Sequence, residues 1–286
     1  MERLPFHLAL VATVTSLLLA LFATGCGSGG DPPKPAKIDQ YRAWLEESSE
    51  NLTTMTGRLL AKIEAGELLK AESRYASARV FYGQVQPAAA LFDDLDTRID
   101  ARANDVPANE FGGFHRIEKA FVVEGTTDGM APVAKQLLAD VEELQHEIET
   151  APIKADQLAD SADALLNEVS TSTIKGGEEL YMHIDLVDVA ARIEGVEAAF
   201  KALKPPLLSE DPELVKEIEA SFAKVYATLS PWGPAAREPD QPRAQEPGIA
   251  FVIYSELSGE SVEELAKPID ALAELFSQVP EQISQE

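Results

Sequence analysis

From Ile38 to Gln278 the apolar residues return at steps of three, four and seven, and that rhythm limits the chain to helical architectures. Tyr41, Leu45, Leu52, Met55, Leu59 and Ile63 form one stripe that reaches about Leu69. A second segment runs from about Glu72 through Arg79, Phe81, Val85 and Leu91 toward Leu95. Pro87 is expected to kink or break it, because proline lacks the N–H that a helix interior uses. The stretch "TTDGMAPVAKQLLADVEELQHEIE" carries a start signal, with Thr127 or Asp128 as cap, and a long amphipathic run that Pro152 ends. Further helices are expected at about Asp156 to Ser170, Gly177 to Leu203, Pro212 to Leu229 and Ser261 to Gln278. Only Ile249 to Leu257 has strand character, too little for a sheet. The expected fold is therefore all-α, with about eight long amphipathic helices and short connections. The simplest arrangement is two antiparallel four-helix bundles sharing a long helix or packed end to end.

The first 25 residues stand apart from this pattern. Arg3 precedes an apolar run from Leu8 to Ala23 and then small residues, which reads as an export signal with its cleavage site. A transmembrane anchor is the weaker reading, since the run is short for a span and no basic cluster follows it. Cys26, the only cysteine, has no disulfide partner and closes an "ATGC" that looks like a bacterial lipobox, so it reads as a lipid acceptor. Acylation there would tether the mature chain outside the cytoplasmic membrane. Residues 26–37, "CGSGGDPPKPAK", form a flexible tether, and residues 38–286 form the folded domain. The chain carries 24 basic and 49 acidic residues, a formal charge of −25. Such a surface repels nucleic acid and anionic lipid and attracts cations, so no nucleic-acid partner is expected.

The stretch "EFGGFHRIEKAF" places His115 three residues before Glu118, which puts an imidazole and a carboxylate on one helix face. Such a pair can hold a transition metal between the helices of a bundle, or it can simply be hydrogen-bonded. Glu178, Tyr181, Asp185 and Asp188 recur at steps of three, four and three beside an apolar stripe. Carboxylates at the border of a buried face need a cation or hydrogen-bond donors, although a solvated face would also fit. Asp93, Asp96 and Asp100 share a face if their segment is helical, or else act as a loop cap. None of this has EF-hand spacing. His7 lies in the signal, His146 reads as a surface residue, and His183 points away from the carboxylate stripe.

Several dispersed motifs carry a resemblance. "DLDTRIDAR", "GFHRIEKAF", "TTDGM", "ADVEELQ", "GEELYMHIDLVDVAARIEG" and "FVIYSEL" occur in the order found in the imelysin-type domain of the EfeO/EfeM family. That family comprises extracytoplasmic components of the Efe iron uptake system. The resemblance spans roughly Ile38 to Val279 and implies a fold of two four-helix bundles. It also implies a metal site with His115 and Glu118, joined by motif position by Asp96 and Glu178, while Gln86, Asp185 and Asp188 are additional candidates. The implied cargo is ferrous or ferric iron or another divalent transition metal, and the implied partners are an iron permease and a Dyp-type peroxidase. With no room for a cupredoxin domain between Cys26 and Ile38, the chain is similar to the shorter, EfeM-like form. Although this fold is filed with peptidases, neither a His-Glu-x-x-His helix nor a Ser or Cys nucleophile set is present, so no enzyme activity is expected.

One segment departs from the family. "YGQVQP" stands where "YERIEP" is usual, so Gly83 and Gln86 occupy acidic positions. Two fewer anions would weaken the hold on a hard ferric ion. This departure is the best sequence argument for a different class of function, a non-metal adaptor or polysaccharide-binding lipoprotein on the same scaffold.

Overall fold

The computed structural model describes residues 34–233 and 254–284. The export signal, Cys26, the tether as far as residue 33, and Ile249 to residue 253 of the strand-like run lie outside the described residues. The described end of that run is a single turn of 3-10 helix, Tyr254–Glu256.

The described residues form helices joined by turns and loops. The helices are α1 (Ile38–Glu64), α2 (Leu68–Ala89), α3 (Asp93–Asp100), α4 (Gly113–Lys119), α5 (Ala131–Thr150), α6 (Ala155–Thr171), α7 (Asp185–Glu210), α8 (Pro212–Leu229), α9 (Gly259–Phe276) and α10 (Val279–Ser284). One group forms from α1, α2 and α5, with the short α3–α4 corner against α5. A second forms from α6, α7, α8 and α9, and α2 packs along α7 to join the two. The stripe read from the sequence is the buried face of α1: Tyr41, Leu45, Leu52, Met55, Leu59 and Ile63 all lie inside. No described helix is long and apolar enough to cross a membrane.

Local chemistry explains three of the helix ends. Asp211 accepts a bond from the Leu214 N–H at 2.9 Å and starts α8, and Ser258 does the same for Ser261 at 3.1 Å in α9. Arg42 reaches across from α1 to the Ile148 and Ala151 carbonyls and caps the end of α5.

Three expectations are corrected. Pro87 does not break α2: it sits two residues from the end, and the Ser161 hydroxyl donates to its carbonyl at 2.6 Å, tying α2 to α6. Neither Thr127 nor Asp128 caps α5, which starts at Ala131 without a side-chain cap, while the Thr126 hydroxyl accepts from the Asp128 N–H at 2.9 Å in the preceding turn. The expected helix at Gly177 begins eight residues later, at Asp185. Gly176 is left-handed, at φ +80°, and so is His183, at φ +56°, so the backbone between them is loop. The ring of Tyr254 lies where a side chain at Gly176 would be, and its hydroxyl donates to the Ile174 carbonyl at 3.1 Å.

The α2–α7 seam is built on small residues. A Cβ added at Gly195 would come within 2.4 Å of the Gln84 carbonyl oxygen, and one at Gly83 within 2.8 Å of the Ala191 Cβ. Position 83 therefore faces the α7 backbone and has no room for a side chain while the helices stay this close.

Candidate metal centre

The site begins where α3 ends against the start of α4. Gly113, at φ +62°, has no room for a side chain: a Cβ would lie 2.2 Å from the Ile99 carbonyl oxygen. This close approach sets His115 beside Asp100. Gly113→Ala combines a strained backbone with a clash against main chain and should cost about 2–4 kcal/mol in urea unfolding, measured against wild type.

The His115 ring is 2 % exposed. Its Nδ1 is 3.0 Å from Glu118 Oε2, while Glu118 Oε1 accepts the Tyr181 and Met182 N–H groups at 2.7 and 2.8 Å. Glu118 is thereby saturated and aims the ring. The other nitrogen, Nε2, lies 3.4 Å from Asp100 Oδ1 and 3.6 Å from Glu178 Oε1 and has no hydrogen-bond partner. Burial opposes charge on the ring, yet Asp100, Glu118 and Glu178 outweigh it and hold its pKa well above the ordinary histidine value.

Two sets of donor atoms lie within 4.8 Å of one another among the described residues: Asp100, His115 and Glu178, and His115, Glu118 and Glu179. They differ in access. Asp100 and Glu178 line a cavity of about 140 Å³ together with Gln86, Asp96, Arg102 and Glu168. Glu179 is fully buried, bonded by the Tyr75 hydroxyl at 3.0 and 3.1 Å and paired with Arg79 at 2.8 Å.

Two buried arginines thread this cluster, and neither is marked as functional by periodicity. Arg79 pairs with Asp100, Glu178, Glu179 and Asp188, and its guanidinium lies over the Tyr82 and Phe114 rings at 5.5 and 5.3 Å. Arg192 pairs with Glu178 and, at 3.5 Å, with Asp100. Burial disfavours the Glu178 carboxylate, but Arg192, His115 and Arg79 outweigh it and hold its pKa well below the usual value. Its neighbour Glu179 goes the other way, pushed up by burial and by Asp188 and Glu118 despite Arg79. Burial also raises Asp188 to about 6.

The other candidate residues take distinct places. Asp185, the first residue of α7, accepts the Glu178 and Glu179 N–H groups at 3.0 and 3.1 Å, which holds the 177–184 loop in position. Glu178 and Asp188 meet through Arg79 and not through one helix face. Gln86 places Nε2 3.5 Å from Asp100 Oδ2 and leaves its buried Oε1 without a partner. Asp96 accepts the Tyr82 hydroxyl and lines the cavity, but belongs to neither donor set. His146 is exposed.

Burial, joined by the charge of Asp100, raises Asp96 from 3.8 to about 6. Between those values the native protein keeps a proton that the unfolded chain has released, so this group's contribution falls as pH rises from about 4 to about 6. Asp96→Asn removes the ionisation. Above pH 7 it should stabilise the protein by about 1–3 kcal/mol, and below pH 4 the gain should vanish, as read by urea midpoints across that range.

The imelysin family model, filed under a peptidase title, matches residues 37–279. The chain belongs to the imelysin family. It is 35% identical over 246 residues to the iron uptake system component EfeO of Escherichia coli K12, and equally to those of Shigella flexneri and Shigella sonnei. Each match covers 85% of this chain and 62% of the relative, so this imelysin spans less than two thirds of the length of these relatives. The sequence reading gave no functional role to Glu179, Arg79 or Arg192 and treated Asp100 only as one of three aspartates. The available signal for the arginines was a long cation inside "YASARVFYG" and "VAARIEG", stretches dominated by small and apolar residues.

Proposed function

We propose that this imelysin captures iron outside the cytoplasm. The reading rests on one observation: carboxylates outnumber cations in a buried cluster. Asp96, Asp100, Glu118, Glu178, Glu179, Asp185 and Asp188 gather around three guanidinium groups, those of Arg79, Arg102 and Arg192, and one imidazole. Buried anions in excess must take up protons or a cation, and the raised pKa values of Glu179, Asp188 and Asp96 mark that demand. An imidazole among oxygens suits a transition metal.

The inner donors in this reading are His115 Nε2, Asp100 and Glu178, with Nε2 giving up its proton as the ion binds. Glu118 orients the ring, and Asp96 and Gln86 line the cavity. A neutral Gln86 and three guanidinium groups lower the negative charge offered, which favours ferrous iron or another divalent ion over ferric iron. The name of the EfeO relatives as iron uptake system components supports iron as cargo. The Cys26 lipobox supports a lipid anchor on the outer side of the cytoplasmic membrane, from which iron would pass to a permease, with a Dyp-type peroxidase as the further partner of such a system. Proteolysis forms no part of the proposal, since His115 contacts carboxylates and not a hydroxyl or thiol nucleophile.

Anaerobic titration of metal-free protein with ferrous iron, and aerobic titration with ferric citrate, tests the proposal. One equivalent of ferrous iron should bind, about tenfold or more weakly in Asp100→Asn and in Glu178→Gln. Equal binding in both variants would remove these ligands. No binding to the wild type would leave the cluster as a structural ion-pair network and favour the adaptor or polysaccharide-binding alternative.

A further inference from the structure

Two buried arginines reach the same carboxylates, yet they are held differently. Arg79 engages all three of its nitrogens: Nε with Asp188 and Glu179, Nη1 with Asp100, and Nη2 with Glu178 and Asp188. Arg192 does not. Its Nη2 reaches Glu178 Oε1 and, at 3.5 Å, Asp100 Oδ2; its Nη1 donates to Thr173 Oγ1 at 2.8 Å; its Nε is buried without a partner. Asp100 and Glu178 are the carboxylates that face His115 Nε2, and Glu178 Oε1 serves both that nitrogen and Arg192. Arg192 therefore sits on one oxygen an incoming ion would use, Glu178 Oε1, which Arg79 also holds, and reaches the second oxygen of Asp100, Oδ2, while Arg79 holds Oδ1. It also has somewhere to go. Glu168 Oε1, which also accepts from Arg102 Nη2 at 3.3 Å, is 3.7 Å from its Nη1, on the cavity wall and about a third exposed.

We propose that Arg192 is an internal latch: its guanidinium closes the Asp100–Glu178 pair, the entering divalent ion displaces it, and it swings onto Glu168 while keeping Thr173. The inference rests on the metal-binding reading above and adds the residue that sets affinity and selectivity at that site. A monovalent ion gains too little from two carboxylates to replace a guanidinium, whereas a divalent ion gains about twice as much. The latch also lowers apparent affinity, because only the open fraction of the protein binds.

Anaerobic titration with ferrous iron of wild type, Arg192→Gln, Glu168→Gln and the double variant tests this. Arg192→Gln should bind about tenfold or more tightly than wild type. Glu168→Gln should weaken binding severalfold in the wild-type background and leave it unchanged in the Arg192→Gln background, because the displaced guanidinium is what Glu168 receives. Unchanged or weaker binding by Arg192→Gln, or an equal Glu168 effect in both backgrounds, overturns the latch. Should Arg192→Gln fail to fold, Arg192→Lys replaces it in the same cycle; its single ammonium cannot span Glu178 and Thr173 together, so tighter binding and the same non-additivity are expected and additivity again overturns. Binding by Arg192→Gln with none by wild type would uphold the latch and refute iron capture by the native chain. Binding by no variant would refute both.

Discussion

His115→Ala should lower ferrous iron affinity at least about a hundredfold while leaving the protein folded, as read by anaerobic calorimetric titration and circular dichroism. The ring supplies the only nitrogen in the Asp100–His115–Glu178 set, and the two oxygens that remain are shared with Arg79 and Arg192. Removing it leaves carboxylates that prefer their guanidinium partners. Glu118→Gln should cost less, about ten- to a hundredfold, because it disturbs the ring's aim and not the ligand itself. The ordering carries the test: a Glu118 variant that binds more weakly than His115→Ala would make Glu118 the ligand and the imidazole its support. Equal binding by His115→Ala and wild type would move the ion away from this cluster altogether.

Arg79→Met should be the most damaging single change to stability, about 3–5 kcal/mol or more in urea unfolding at pH 8. The thioether fills much of the side chain's volume against the Tyr82 and Phe114 rings, so packing is largely kept, but Asp100, Glu178, Glu179 and Asp188 lose their shared cation. All four side chains are largely buried, the most exposed being that of Asp100 at 8%. Protonation is the remaining relief, so the deficit should shrink as pH falls toward 5. A deficit that is the same at pH 5 and pH 8 would show that lost packing, and not uncompensated charge, is the cause.

The helical class was legible because periodicity is a local property. The α1 stripe from Tyr41 to Ile63 and the amphipathic runs of α5, α6, α8 and α9 name their own buried faces with no knowledge of neighbours. The "GFHRIEK" helix with His115 and Glu118 on one side was legible for the same reason. Where local signals misled, a tertiary partner had intervened. Residues 177–184 have helical spacing, yet Asp185 draws in the Glu178 and Glu179 N–H groups and Glu118 draws in those of Tyr181 and Met182, so four of the segment's donors go to side chains and not to the preceding turn. Asp96 and Asp100 look equivalent along α3, and only the α3–α4 crossing at Gly113 turns Asp100 toward His115 and leaves Asp96 on Tyr82. The sequence by itself determined which faces are apolar, where most of the helices lie and that an imidazole accompanies a carboxylate. Tertiary structure alone decided which charges meet: Arg79 and Arg192 reach Asp100 and Glu178 only because Gly83 and Gly195 let α2 and α7 approach closely, and such long-range convergence leaves no period in the chain to be read.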